Sequence, residues 1–390
     1  MSHSSSRTFV QRSSYLLSSQ VSSSFSTLPS VDDLISDDPN NNITEAIRSK
    51  VGRNLHLQQN HPLNIIKSTI ENHFNSTHSE PFALHDSLSP MVSTKHCFDD
   101  LLIPPDHVSR SYSDTYYIDA DHCLRTHTSA HQSTLIASGE SQFLCTGDVY
   151  RRDEIDSSHY PVFHQMEGVK MFPLDTPTKV IEDDLKSVLS GMAKTLFGDV
   201  EMRWVDAYFP FTEPSYELEI FFNGEWLEVL GSGVIQQQII RNAGQGEQPG
   251  WAFGLGLERL AMVLFEIPDI RLFWSSDPRF HQQFKSGEII KFKEYSKYPP
   301  VHRDISFWTG GKEFHPNDLC EIVRGVCIEE DLVEKVELID EFVHPKTKKT
   351  SNCFRVTYRS MDRSLTNKEV DDIHFQVRDN AVTDLKIEIR

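Results

Sequence analysis

The strongest period-two patterns lie in the middle of the chain, at Val200–Phe209, Ser215–Phe222 and Glu225–Gly231, and they predict three strands. The dipeptide Asn223-Gly224 between the last two is a strong hairpin signal, because both residues accept positive φ. Upstream, Gly147-Asp148-Val149-Tyr150-Arg151-Arg152-Asp153 alternates and ends in turn residues, with a second alternating run following His159-Tyr160-Pro161. This reads as a strand, a loop and a returning strand. Gly250 to Leu260 reads as a glycine-bearing strand feeding an apolar helix that Pro268 stops. Pro62 opens another helix, carried by Ile65, Ile66 and Ile70, and a short helical stretch falls within Ile43–Val51. From Phe98 to Leu264 strands and helices mix without a βαβ rhythm, which predicts an α+β fold: antiparallel hairpins with helices packed on one side.

The charged stretch 285–298, with Gly287 and a Pro299-Pro300 stop behind it, reads as a linker. Beyond it the order is β-α-β-β-α-β: strands at Asp304–Trp308, Val333–Phe342, Ser351–Tyr358 and Leu385–Ile389, with helices at Asn317–Gly325 and Asn367–Asn380. That order is ferredoxin-like. The domain boundaries implied are 1–31 for a leader, 32–284 for the main domain and 299–390 for the small one.

Composition changes the picture at four points. The first thirty residues are serine-rich, carry Arg7 and Arg12 and have no acid before Asp32, the make-up of an organellar transit peptide. Six cysteines show no CxxC pair and no zinc-ligand spacing, so they read as free thiols in a reducing compartment. A formal charge of −19 argues against a protein wrapped in nucleic acid, yet His344–Arg363 concentrates Lys346, Lys348, Lys349, Arg355, Arg359 and Arg363 against the single acid Asp362. No run of about eighteen apolar residues is present, so no membrane span is expected.

The candidate chemistry starts from two arginines, Arg151 and Arg259, in separate motifs that suit a nucleotide phosphate. Gly254-Leu255-Gly256 lacks the third glycine and the Lys-Ser/Thr of a phosphate-cradling loop, and by itself reads as a packing device. Glu228 in Trp226-Leu227-Glu228-Val229-Leu230 is expected on the face of Trp226 and Leu230, where a carboxylate needs a partner or a metal. Phe209-Pro210-Phe211 puts two rings on one face of an extended segment, an arrangement more often core than ligand site. His127 and His131 have metal-pair spacing, but no third ligand follows and zinc is not expected.

The runs around Arg151 and Arg259 resemble the second and third signature motifs of class II aminoacyl-tRNA synthetases. Their wording is similar to that of phenylalanine–tRNA ligases in the single-chain organellar form, from about His61 to the C-terminus. The resemblance implies a class II antiparallel sheet flanked by helices, followed by a ferredoxin-like anticodon-binding domain. It implies L-phenylalanine, ATP and tRNA(Phe) as substrates, Mg²⁺ as the metal, a phenylalanyl-adenylate intermediate and transfer to the terminal ribose 2′-hydroxyl. It assigns Arg151 to the α-phosphate and amino-acid carboxylate, Arg259 to the γ-phosphate, and His159, between Ser158 and Tyr160, to the phosphates. Glu228 becomes a nucleotide or metal contact. Phe209 and Phe211 would stack edge-on against the substrate ring, with Ser232, Ala252 and Gly254 at the pocket's end and Phe253 at the substrate or nucleotide site. Ser232 stands where alanine is common in the family, which bears on rejection of tyrosine. Gln165 and Glu167, flanking Met166, would accept the amino group, with His127, Ser129, Ala130, His131 and Gln132 beside it. Lys346, Lys348, Lys349 and Arg355 would contact tRNA. A monomer in the mitochondrial matrix or plastid stroma is implied. A class II ligase for another amino acid, a synthetase relic that binds tRNA, and a structural RNA-binding protein are the competing readings.

Overall fold

The computed structural model describes residues 34–390 apart from 36, 295–297, 310–313, 328–331 and 361. The expected leader 1–31 and residues 295–297, near the end of the expected linker, lie outside the described residues. In chain order the main domain has β1 (Ala83–His85), the short pair β2 (Met91–Ser93) and β3 (His122–Leu124), then β4 (Gln142–Tyr150), β5 (Val162–Met171), β6 (Met202–Phe209), β7 (Thr212–Phe222), β8 (Glu225–Ile235) and β9 (Gly250–Gly256). Seven of them form one sheet in the order β1-β4-β5-β9-β8-β7-β6. The sheet is mixed rather than wholly antiparallel: β1 runs parallel to β4, since the excursion through β2 and β3 returns the chain in its original direction.

One face of the sheet is closed by helices. Pro62–Thr77 starts where expected, with His61 as N-cap accepting from Leu63 N at 3.3 Å. Its Ile66, Ile70 and Phe74 are fully buried against Leu185 and Leu189 of the helix Thr178–Phe197 and against Trp251 and Phe253 of β9. The opposite face is covered only at the β1–β4–β5 end, by a smaller cluster that includes Phe98, Leu135, Ile136, Phe143, Val169 and Ile239. Along β5, Val169 lies under that cover while Gln165 and Glu167, four and two residues earlier on the same face, emerge into a cleft. Partial cover is thus what opens a site on this sheet.

The hairpin is as expected: Asn223 (φ 52°) and Gly224 (φ 95°) both take the left-handed conformation between β7 and β8. A bulge follows that alternation did not predict. Leu218 pairs with Leu230, but Glu219 pairs with Glu228, so one extra residue sits on β8. Glu228 therefore shares a face with Trp226 and Glu219, whereas Leu230 turns into the core, correcting the expectation that all three β8 positions align. The helix after β9, Leu257–Phe265, ends at Glu266 in the left-handed conformation (φ 54°), before Pro268 is reached.

The C-terminal module contains β10 (Val301–Trp308), β11 (Val333–Val343), β12 (Thr350–Tyr358) and β13 (Glu388–Ile389), ordered β11-β12-β10-β13, with helices Pro316–Val326 and Asn367–Leu385. This is the expected ferredoxin-like arrangement. The last strand is shorter than predicted because buried Val370, Val377 and Ala381 carry the second helix on to Leu385. A capping box between Thr366 and Glu369 starts that helix.

The two domains touch closely. Ile155, in the loop between β4 and β5, is buried in the core of the C-terminal module, and its carbonyl accepts from Val336 N at 3.0 Å. Asn317 Nδ2 donates to the carbonyls of Ser113 and Arg152 at 3.0 Å each, and Tyr116 donates to Glu321 at 2.6 Å. The expected linker begins as packed chain, with Phe292 buried and its N–H donating to Phe265 O at 2.6 Å.

Candidate active site

A cleft of about 670 Å³ opens on the uncovered half of the sheet. Its floor is held by a buried network one layer down. Arg125 donates through Nε to Asp148 O at 2.7 Å and through Nη2 to Asp148 Oδ1 at 2.8 Å, while the Tyr150 hydroxyl donates to Oδ2 of the same aspartate. Burial works against the Asp148 carboxylate, but Arg125 and Tyr150 hold its pKa below the usual range. Gly147 is required here, since a Cβ would meet Arg125 Nη2 at 2.0 Å. The backbone leaving this network presents Arg151.

Arg151 is the central cation. Its Nε donates to Thr126 O at 2.8 Å and its guanidinium lies 5.2 Å from the centre of the Phe163 ring. Among the described residues it makes no ion pair, so its remaining donors are uncommitted. Burial lowers its pKa, but a guanidinium remains charged. Arg259 differs: it sits at the rim with its side chain 56% exposed, 3.3 Å from Glu228 Oε2. The Glu258 next to it is structural. It clamps the helix to β5, accepting from His164 N at 2.8 Å and meeting His164 Nδ1 at 2.7 Å.

At one end of the cleft polar groups converge. Glu167 is 2% exposed, and its Oε2 has no hydrogen-bond partner. Neither ring nitrogen of His127 has one. Ser129, Gln132 and Gln165 line the same end. At the other end the rings of Phe209 and Phe211 lie 5.8 Å apart at 9°, stacked on each other across Pro210. Gly231 is what admits Phe209, because a Cβ there would come within 2.7 Å of its ring. Ser232, Ala252, Phe253 and Gly254 complete this wall, and open space lies over Gly254. The Ser232 hydroxyl donates to Tyr216 O at 3.3 Å. The Phe253 ring itself faces the core, stacked on Phe74 at 5.4 Å.

Several expected site residues lie elsewhere. Met166 is fully buried on the helix-covered face, since it alternates with Gln165 and Glu167. Ala130 belongs to the smaller core cluster. His131 turns down to Arg125 Nη1 at 2.9 Å, and burial with that cation lowers its pKa to about 3. His159, Ser158 and Tyr160 are drawn away with their loop. His159 and Ser158 gather on Asp156, and Tyr160 stacks on Trp274 at 5.4 Å. Burial disfavours the His159 cation, but the 2.7 Å bond to Asp156 outweighs it and raises the pKa. His159 and Tyr160 line a separate small cleft with Lys50, Arg271 and Arg324 at the domain junction.

The basic run in the C-terminal module is also divided. Lys346, Lys348 and Lys349 project from the exposed turn between β11 and β12, with Lys349 3.5 Å from Glu388. Arg355 is held by both oxygens of Asp304 at 2.8 Å, Arg359 pairs with Glu334 and Arg363 with Glu369. The sequence pattern did not mark Thr126 or Gly231 as site residues. Gly231 carried a signal, a glycine inside a strand pattern.

A sheet of this kind with a buried guanidinium over its floor is accompanied by a family match: the model for "tRNA synthetases class II core domain (F)" covers residues 47–284, and that for the "Ferredoxin-fold anticodon binding domain" covers 296–390. The main domain is a class II synthetase core. The chain is 56% identical to the chloroplastic/mitochondrial phenylalanine–tRNA ligase of Arabidopsis thaliana, over 91% of this chain and 84% of that protein. It is 50% identical to the mitochondrial phenylalanine–tRNA ligase of Mus musculus, over 90% and 86%. A phenylalanine–tRNA ligase alpha subunit from Nostoc punctiforme matches at 41% over 50% of this chain and 58% of its own length. The chain belongs to the phenylalanine–tRNA ligases.

Proposed function

We infer that the cleft binds L-phenylalanine and ATP, joins them as phenylalanyl-adenylate with release of diphosphate, and passes the acyl group to tRNA(Phe), in organellar translation as a single-chain monomer. The observation that carries this reading is the polarity of one cleft: unpartnered acceptors at Glu167 and His127, aromatic rings at Phe209 and Phe211, and the uncommitted guanidinium of Arg151. An amino acid with an apolar aromatic side chain fits that sequence of environments. Its ammonium meets Gln165 and Glu167, its carboxylate Arg151, and its ring Phe209 and Phe211.

No side-chain nucleophile is needed. The substrate carboxylate attacks the α-phosphorus in line and diphosphate leaves, so charge builds on the α-phosphoryl oxygens. A guanidinium fixed by Thr126 O and Phe163 before the reaction stabilises that charge without reorganising. Arg259, paired with Glu228 at the rim, is the residue proposed to meet the terminal phosphate. Glu228 and Glu217 suit a magnesium ion that takes most of its ligands from phosphate oxygens. Glu217 supports the fit: desolvation, then the charges of Glu228 and Glu219, raise its pKa, a strain that a bound cation relieves. When bound, Mg²⁺ would neutralise phosphate charge. Lys346, Lys348 and Lys349 are proposed as the salt-sensitive tRNA contact, and Arg355, already paired, as a weaker one.

The test is ATP–diphosphate exchange by the chain without its leader, with phenylalanine, tyrosine, other amino acids and none. Exchange driven by phenylalanine is expected. Stronger exchange with a different amino acid would reassign the pocket, and none with any would leave a tRNA-binding relic.

A further inference from the structure

Glu167 is placed where a carboxylate is hard to keep ionised. It lies on the interior strand β5, opposite Cys145 of β4 and Gly254 of β9, and it is 2% exposed. Cys145 brings no charge, its thiol pushed up to about 12 by burial, and Gly254 has no side chain. From the 128–131 turn Ser129 favours the ionised carboxyl only weakly against burial, while Oε2 is left without a partner. The neighbouring Gln165 is neutral, and His127 at the same end of the cleft makes no hydrogen bond to the carboxyl through either ring nitrogen. Arg125, in the layer below, is committed to Asp148, and Arg151 makes no ion pair with Glu167. An isolated buried carboxylate without a counterion takes up a proton instead of bearing its charge.

We propose that Glu167 is a neutral carboxylic acid in the empty cleft and ionises as the ammonium group of the amino-acid substrate is seated, so that loading the substrate releases a proton to solvent. This rests on the reading that the amino acid lies with its carboxylate at Arg151. The step balances: the neutral carboxyl and the zwitterion become a carboxylate–ammonium pair, and one proton leaves. With the substrate carboxylate matched to Arg151, the ammonium would otherwise be an uncompensated cation in a dry end of the cleft. The same burial raises the Glu167 pKa to about 8. The device makes Glu167 a specificity-determining residue: an aromatic acid that lacks the amine cannot supply the charge that ionises it.

The sign of the pH dependence follows. Below about pH 8 a proton must be removed before the ion pair forms, so affinity weakens as pH falls, by nearly tenfold from pH 7 to pH 6. Titration calorimetry of the full chain with L-phenylalanine, in two buffers of different ionisation enthalpy, counts the protons directly. About 0.9 proton released at pH 7 is expected, falling towards zero by pH 8.5, where Glu167 is largely ionised already and the free amine begins to take up a proton on binding. The amine-free analogue 3-phenylpropionate should bind weakly with no release, and Glu167→Gln should abolish the release and flatten the affinity between pH 6 and 7. Binding of L-phenylalanine at pH 7 with no proton released overturns the proposal and leaves the amino-acid pocket standing. Failure of L-phenylalanine to bind at any pH overturns both.

Discussion

In the floor of the cleft, Arg125 and Asp148 face each other at 2.8 Å with side chains 1% and 5% exposed; in the C-terminal module, Lys346 and Lys348 project from a solvent-exposed turn and make no ion pair among the described residues. Both regions are rich in charge, but the charge acts differently. The buried pair is desolvated and bound on all sides, so each member depends on the other and their geometry is fixed. That rigidity passes through the adjoining backbone to Arg151. The lysines are screened by water and salt, so each contributes little alone and they act together on a polyanion. Single substitutions should therefore tell in the floor, and only combined ones in the turn.

The comparison breaks most directly at Arg125→Ala. Removing one partner leaves Asp148 buried and uncompensated, and a loss of about 3–5 kcal/mol in chemical denaturation is expected. A loss below about 1 kcal/mol, the range of exposed pairs, would show that the floor behaves like surface. Arg151→Ala should leave the unfolding midpoint near that of the parent while cutting ATP–diphosphate exchange by about 10²–10³-fold, the usual cost of losing one preorganised donor. A similar drop in stability would make Arg151 a structural residue.

Next is an acid-sensitivity prediction. Burial, then the neighbouring His164, lowers the His56 pKa to about 4, and burial lowers that of His61 to about 3. Both sit neutral in the fold, so their contribution is fully present above about pH 6.5 and is lost as pH falls towards 4. Melting temperature measured from pH 7.5 to 4.5 should fall across that window, and less so in His56→Asn. Smallest is the turn. Reversing Lys346, Lys348 and Lys349 to glutamate should raise the KM for tRNA several-fold and flatten its salt dependence, with exchange unchanged. Arg355→Ala, already tied to Asp304, should do less than any of them.

The hairpin at Asn223-Gly224, the strands around Arg151 and the ferredoxin-like order were legible because each rests on local rules, namely turn chemistry, period and caps. Glu228 shows the limit. Alternation put it with Leu230, and one inserted residue on β8 reversed that, because a bulge is set by pairing with β7 and leaves no periodic trace. His159 shows another. Its loop is pulled out by Ile155, Asn317 and Arg324, and two of these anchors lie more than 160 positions away along the chain.

The sequence by itself determined the element types, the two-domain order and the identity of the chemical groups, because those depend on neighbours within a few residues. Only the tertiary structure decided which of them meet. Covering one half of a sheet face, and not the other, places Glu167 and Gln165 in the cleft while Met166 is buried between them on the far side. Whether a carboxylate finds a partner depends on strands brought together from distant parts of the chain, and burial then sets its charge.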